Sequence, residues 1–118
     1  MARRILIGED DPGLAKVVAL VLRRAGFDVD TALDAITLRH RLSAAHYDLL
    51  LLEVRFGATD GLELTRELRA RGDDLVIVGW SADGPNDESA ALESGCTAFY
   101  WKPLSNRVLV ELFRELLP

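Results

Sequence analysis

Five short apolar runs recur along the chain, each followed by a stretch in which apolar residues return at helical spacing. The runs are Arg4 to Ile7, Asp28 to Thr31, Leu49 to Leu52, Leu75 to Val78 and Ala98 to Trp101. Short β-type runs alternating with helices predict a parallel sheet with helices on both faces, an α/β doubly wound architecture of five β-α units. Between the first two runs Leu14, Val17, Val18, Val21, Leu22 and Ala25 mark one face of a helix that stops at Gly26. Asp11 is placed to cap that helix, and Pro12 suits its first position, where a missing N–H costs nothing. Asp60 with Glu63 gives a similar start signal before Leu64 and Leu68. Gly84-Pro85-Asn86-Asp87 reads as a loop, leaving Ala90, Ala91 and Leu92 a short helix. Ser105 opens the last helix, whose face is Val108, Leu109, Leu112 and Leu116.

Length and composition add limits. A chain of 118 residues with 49% hydrophobic and 28% charged residues suits one domain, 1–118, that can bury a core without disulfide or structural metal. Cys96 is alone, so no disulfide can form within the chain; between Gly95 and an apolar run it reads as a small buried hydrophobe. A formal net charge of −5 argues against direct nucleic-acid binding and offers no polybasic membrane patch. The apolar stretch after Arg3-Arg4 is too short for a signal peptide and no run has the length of a membrane span, so the expected location is cytoplasmic.

In a sheet of this kind ligands bind beyond the carboxyl ends of the strands. Glu9, Asp10 and Asp11 follow the first run, Glu53 and Arg55 the third, Ser81 and Ala82 the fourth, Lys102 and Pro103 the fifth. Carboxylates brought to about 4 Å repel by roughly 4 kcal/mol at an effective dielectric near 20, so this cluster needs a cation or a raised pKa. A hard divalent ion such as Mg²⁺ answers that need with oxygen ligands.

The ordered stretches Ile5-Leu6-Ile7-Gly8-Glu9-Asp10-Asp11-Pro12, Asp48 to Glu53, Asp60-Gly61-Leu62-Glu63-Leu64, Ser81-Ala82, Ala91-Leu92 with Gly95, and Lys102-Pro103-Leu104 resemble a response-regulator receiver domain of two-component signalling over essentially the whole chain. The resemblance implies a flavodoxin-like (βα)5 fold with sheet order 2-1-3-4-5. It implies Mg²⁺ held by Glu9, Asp10, Glu53 and the backbone carbonyl of Arg55, and no organic cofactor. Glu53 falls at the phosphoacceptor position, Ser81 and Lys102 at the positions that bind phosphoryl oxygens, and Phe99 at the aromatic switch. Implied partners are a histidine kinase or phosphotransfer protein, a downstream effector, and a second copy through the surface of the fourth helix, fifth strand and fifth helix. Apart from catalysing their own phosphorylation and dephosphorylation, such domains are not enzymes.

Three residues depart from the family pattern: Glu53 replaces the acceptor aspartate, Arg55 brings a cation to the metal loop, and Gly57 stands where proline is usual. Glutamate carries its carboxylate outward by about one C–C bond, ~1.5 Å. A displacement of about 1 Å from attack geometry costs on the order of a hundredfold in rate. The expectation is a phosphorylation-independent or phosphomimetic receiver in which Glu53 meets Ser81 and Lys102, Arg55 pairs with Glu9 or Glu53 and weakens Mg²⁺ binding, and Gly57 loosens its loop. One alternative is an ordinary Mg²⁺-dependent receiver with an engineered Asp-to-Glu change at 53, although Arg55 and Gly57 favour natural divergence. Outside the family, an FMN electron carrier would place a phosphate against Glu9-Asp10-Asp11, which repel it. An aspartyl phosphatase lacks its first Asp, since Glu9 stands there. Asp11 and Asp60 read as helix caps, His40 and His46 as surface residues, and Trp80, Phe99, Tyr100 and Trp101 as partly core with the makings of a docking patch.

Overall fold

The computed structural model describes residues 2–118. The main strands are β1 (Arg4–Gly8), β2 (Asp28–Ala32), β3 (Leu49–Glu53), β6 (Val76–Ser81) and β7 (Ala98–Trp101); a small hairpin, β4 (Arg55–Phe56) and β5 (Thr59–Asp60), lies between β3 and the third helix. The helices are α1 (Pro12–Arg24), α2 (Ala35–Ala44), α3 (Gly61–Ala70), α4 (Asp87–Ser94) and α5 (Asn106–Leu116). The five main strands form one parallel sheet in the order β2-β1-β3-β6-β7, which is the expected 2-1-3-4-5 once the hairpin is set aside.

Strand pleating divides the core in two. Successive side chains of a strand point to opposite faces, so Leu49 and Leu51 join Ile5, Ile7, Val78 and Trp80 under α1 and α5. Leu50 and Leu52 join Leu6, Ile77 and Phe99 under α2, α3 and α4. Four consecutive leucines therefore serve two cores, and the run reads as continuously apolar because both faces are covered. Glu53 continues the parity of Leu49 and Leu51 and lies in register with Trp80. Since Gly8 pairs with Leu52, Glu9 comes next to Glu53 on that same parity.

The expected caps are in place. Asp11 accepts from the amides of Gly13 and Leu14, Asp60 from that of Leu62 at 2.9 Å, and Ser105 from that of Val108 at 3.2 Å. Gly26 follows α1 at φ 101°, the left-handed conformation that ends helices. Two expectations need correction. The stretch read as a loop through Asp87 ends one residue earlier, because Asp87 is the first residue of α4. Gly57 does not loosen its loop: at φ 60° it is the first residue of a two-residue turn joining β4 to β5, where only such a backbone lets the hairpin close.

Gly61 begins α3 directly beneath the end of β3, its N–H bonded to the Val54 carbonyl at 2.8 Å. A Cβ there would run into the carbonyl oxygens of Glu53 and Val54, whereas one at Gly13 in α1 would meet only the Asp11 carboxylate at 3.4 Å. Gly61→Ala is predicted to lower the urea midpoint by the equivalent of about 1–3 kcal/mol. Gly13→Ala should be neutral or stabilising by up to about 1 kcal/mol. Equal effects of the two would contradict the close approach at Gly61.

Candidate functional site

The carboxyl ends of β1, β3, β6 and β7 bring Glu9, Glu53, Ser81 and Lys102 to one edge of the sheet, as the spacing of the sequence predicts. Lys102 is the centre of the arrangement. Its Nζ donates to Glu9 Oε1 at 2.5 Å and forms an ion pair with Glu53 Oε2. Its backbone N–H is fixed to the Ser81 carbonyl at 2.8 Å, and its ammonium lies 4.7 Å from the centre of the Trp80 ring, a cation–π contact from the strand alongside. Glu9 is 1% exposed and Glu53 6%, so both carboxylates are taken out of water around one cation. Glu9 Oε2 accepts from the Asp11 amide at 3.2 Å, and Glu53 Oε1 from the Arg55 amide at 3.3 Å.

The electrostatics follow from that burial. Desolvation pushes the Glu9 carboxyl above its usual range, opposed by the bonds from Lys102 and the Asp11 amide. Burial would lower Lys102, but its bonds to Glu53 and Glu9 outweigh it and hold the ammonium above the ordinary lysine value.

A second network lies on the opposite parity. Ser81 follows Trp80 and is buried toward α3 and α4. Its hydroxyl donates within 2.6 Å of the Asp83 carbonyl and 2.8 Å of Asp87 Oδ2. The Arg55 side chain turns away from Glu9 and Glu53 and grips the Asp87 carboxylate with both terminal nitrogens, at 2.5 and 3.1 Å. Arg55 Nη1 also reaches Ser81 Oγ and the Asp83 carbonyl, each at 3.1 Å. Burial would raise Asp87, but the bonds from Arg55 and Ser81 prevail and hold its carboxyl low. The expected pairing of Arg55 with Glu9 or Glu53 is therefore corrected: Asp87, a buried carboxylate at the start of α4, outcompetes them with a bidentate fit. The expected meeting of Glu53 with both Ser81 and Lys102 is half met, because Glu53 engages Lys102 while Ser81 is committed to Asp83 and Asp87. Asp87 is the site residue that sequence reasoning missed, and its one signal was an acid in a helix first turn without a local basic partner.

Asp10 is exposed, and the Arg55 carbonyl accepts from the Gly57 amide at 3.1 Å. Among the described residues no group of three or more His, Cys, Asp or Glu side chains is arranged to hold a metal. Lys102 takes one oxygen of each of Glu9 and Glu53, so a hard divalent ion bound by Glu9, Asp10 and Glu53 would share those carboxylates with the ammonium. Phe99 is buried and packs edge-on against Trp101, with ring centres 4.8 Å apart; Trp101 itself stays exposed. Trp80 is core, Cys96 is buried with its thiol pushed up by desolvation, and His40 and His46 are at the surface.

Removing the cation should show its role. Lys102→Met is predicted to cost about 3–5 kcal/mol at neutral pH, because two buried carboxylates lose their common partner. Glu9 has a raised folded-state pKa, so its protonation favours the folded state and the deficit should shrink as pH falls. The Lys102 contribution is present below the ordinary lysine range and disappears as pH rises through its raised value. Urea unfolding of both chains across pH tests this, and a pH-independent difference would contradict the bridge.

Among the described residues no helix is long and apolar enough to cross a membrane. Known proteins match this architecture closely. The family described as response regulator receiver domain matches residues 5–114. The sensor protein EvgS of Escherichia coli (strain K12) is 38% identical over 106 residues, 89% of this chain and 9% of that protein. The response regulator MprA of Mycobacterium tuberculosis (strain ATCC 25618 / H37Rv) is 32% identical over 118 residues, 99% of this chain and 51% of that protein. The chain thus spans about half the length of MprA and a small part of EvgS. Among solved structures, the chemotaxis response regulator CheY4 of Vibrio cholerae superposes with a TM-score of 0.90 at 19% identity, covering 98% of this chain and 99% of that one. A CheY-like receiver from Methanospirillum hungatei JF-1 gives 0.91 at 22% identity, covering 99% and 94%. Those two likenesses concern the fold, while the family match and the sequence relatives carry the assignment: this chain belongs to the response-regulator receiver domains of two-component systems.

Proposed function

We propose that this receiver works without conventional phosphorylation, with Glu53 at the position of the phosphoacceptor and Lys102 serving as the standing counter-ion of the pocket. The observation that carries the reading is the single ammonium held between two buried carboxylates. It gives Glu53 a fixed partner and supplies the positive charge that receiver domains generally obtain from Mg²⁺. The longer side chain adds a second obstacle, since its carboxylate stands about one bond further out than an aspartate's. As a phosphoryl mimic Glu53 is incomplete, with one negative charge and two oxygens against nearly two charges and three acceptor oxygens.

Signal relay in this reading runs through protein contact at a surface whose state does not depend on phosphoryl transfer. The partner face is that of α4, β7 and α5, on which Leu92, Trp101 and Val108 stand exposed. Exposed apolar side chains on a polar surface favour a protein occupant there, a second copy of the chain or an effector. A histidine kinase or phosphotransfer protein belongs to the same reading as a docking partner.

The test is incubation of the chain with acetyl phosphate and magnesium chloride, followed by intact mass. No added phosphoryl mass is expected, with partner binding or self-association unchanged by the treatment. A phosphoryl adduct on the chain as it stands would overturn the proposal.

A further inference from the structure

We infer that Arg55 and Asp87 form a latch that withholds the Ser81 hydroxyl from the pocket, a block on phosphoryl chemistry separate from the Glu53 substitution. The inference rests on reading residue 53 as the acceptor position. It concerns two residues on different elements: Arg55 on β4, just past the end of β3, and Asp87 at the first turn of α4.

Three observations carry it. First, the contact is a two-pronged charge pair between the half-exposed Arg55 side chain and the carboxylate of Asp87, a residue only 8% exposed. Second, both members also hold Ser81: Asp87 Oδ2 accepts from the hydroxyl at 2.8 Å and Arg55 Nη1 stands 3.1 Å from the same hydroxyl oxygen. With its proton turned to Asp83 or Asp87, the hydroxyl has none left for an oxygen on the Glu53 side. Third, the backbone makes room for the pair. Gly84, at φ 99°, lies where a Cβ would come within 2.6 Å of both Arg55 Nη2 and Asp87 Cγ, so the loop is shaped around the latch.

The latch also fastens α4. Its N-cap residue Asn86 gives no side-chain cap, and Arg55 and Ser81 supply the side-chain ties to its first residue, Asp87. Releasing Arg55 unties this end of α4 from β4, which lets the 82–86 loop and Asp87, the acceptors of the Ser81 proton, move away from the hydroxyl. The reaction that reports the release is transfer from acetyl phosphate to an aspartate placed at position 53. A carboxylate oxygen attacks phosphorus, the bond from phosphorus to the acetyl oxygen breaks, and acetate leaves with that electron pair. Ser81 would donate a hydrogen bond to the transferring group.

The experiment compares Glu53→Asp alone with Glu53→Asp/Arg55→Ala and Glu53→Asp/Asp87→Asn, each treated with acetyl phosphate and magnesium chloride and followed by intact mass. Both double variants should be labelled about tenfold or more faster than the single one, the scale of one donor at a reacting oxygen. In parallel, amide hydrogen exchange at 82–86 should quicken in Arg55→Ala, with the β1 and β3 amides unchanged. Indistinguishable labelling of the three chains that carry Glu53→Asp, or unaltered exchange at 82–86, would overturn the latch. The chain as it stands is the separate control: its labelling would overturn the reading of Glu53 and not the ratio among the three variants.

Discussion

The ammonium of Lys102 between Glu9 and Glu53 is the constraint on which the site depends. Two carboxylates buried at neighbouring strand ends repel each other and lose their hydration. One cation at the end of a third strand offsets both, and it is held by its backbone bond to Ser81 and by the face of Trp80. The sheet makes this possible. Parallel strands end together, and the pleat puts Glu9, Glu53 and Trp80 on one parity, so three elements distant in sequence deliver complementary groups to one point. A pocket with its own counter-ion has less need of one from solution.

The opposite parity carries a network of another kind. Ser81 faces α3 and α4, and its companions Arg55 and Asp87 tie the end of β3, through the β4–β5 hairpin, to the start of α4. Lys102 and Arg55 thus divide the acidic edge of the molecule between them. Each cation has taken the carboxylates that its backbone position lets it reach with good geometry. Together they connect the ends of β1 and β3 to the loops after β6 and β7.

Much of this was legible in the residues. The run Leu49 to Leu52 announces a strand covered on both sides, and Asp11, Asp60 and Ser105 mark helix starts by a local hydrogen bond that depends on neighbouring residues alone. Glu9, Glu53, Ser81 and Lys102 were readable as a group because each follows or ends a strand, and parallel strands converge there. What the sequence did not reveal depends on reach and competition. Arg55 chooses a partner 32 residues away over closer-seeming acids because Asp87 is buried and offers both oxygens, a fact fixed only by where α4 begins. Gly57 reads as freedom in isolation and as a required turn conformation once Arg55–Phe56 pairs with Thr59–Asp60.

The most direct test of the standing counter-ion is a titration of the isotopically labelled chain with magnesium chloride, followed by amide resonances of Glu9, Asp10, Glu53 and Arg55 and the indole N–H of Trp80. If Lys102 holds the two carboxylates, these signals should move no more than under potassium chloride of equal ionic strength through the millimolar range. Saturable shifts confined to these residues would show that a divalent ion binds at the pocket, and would contradict the account.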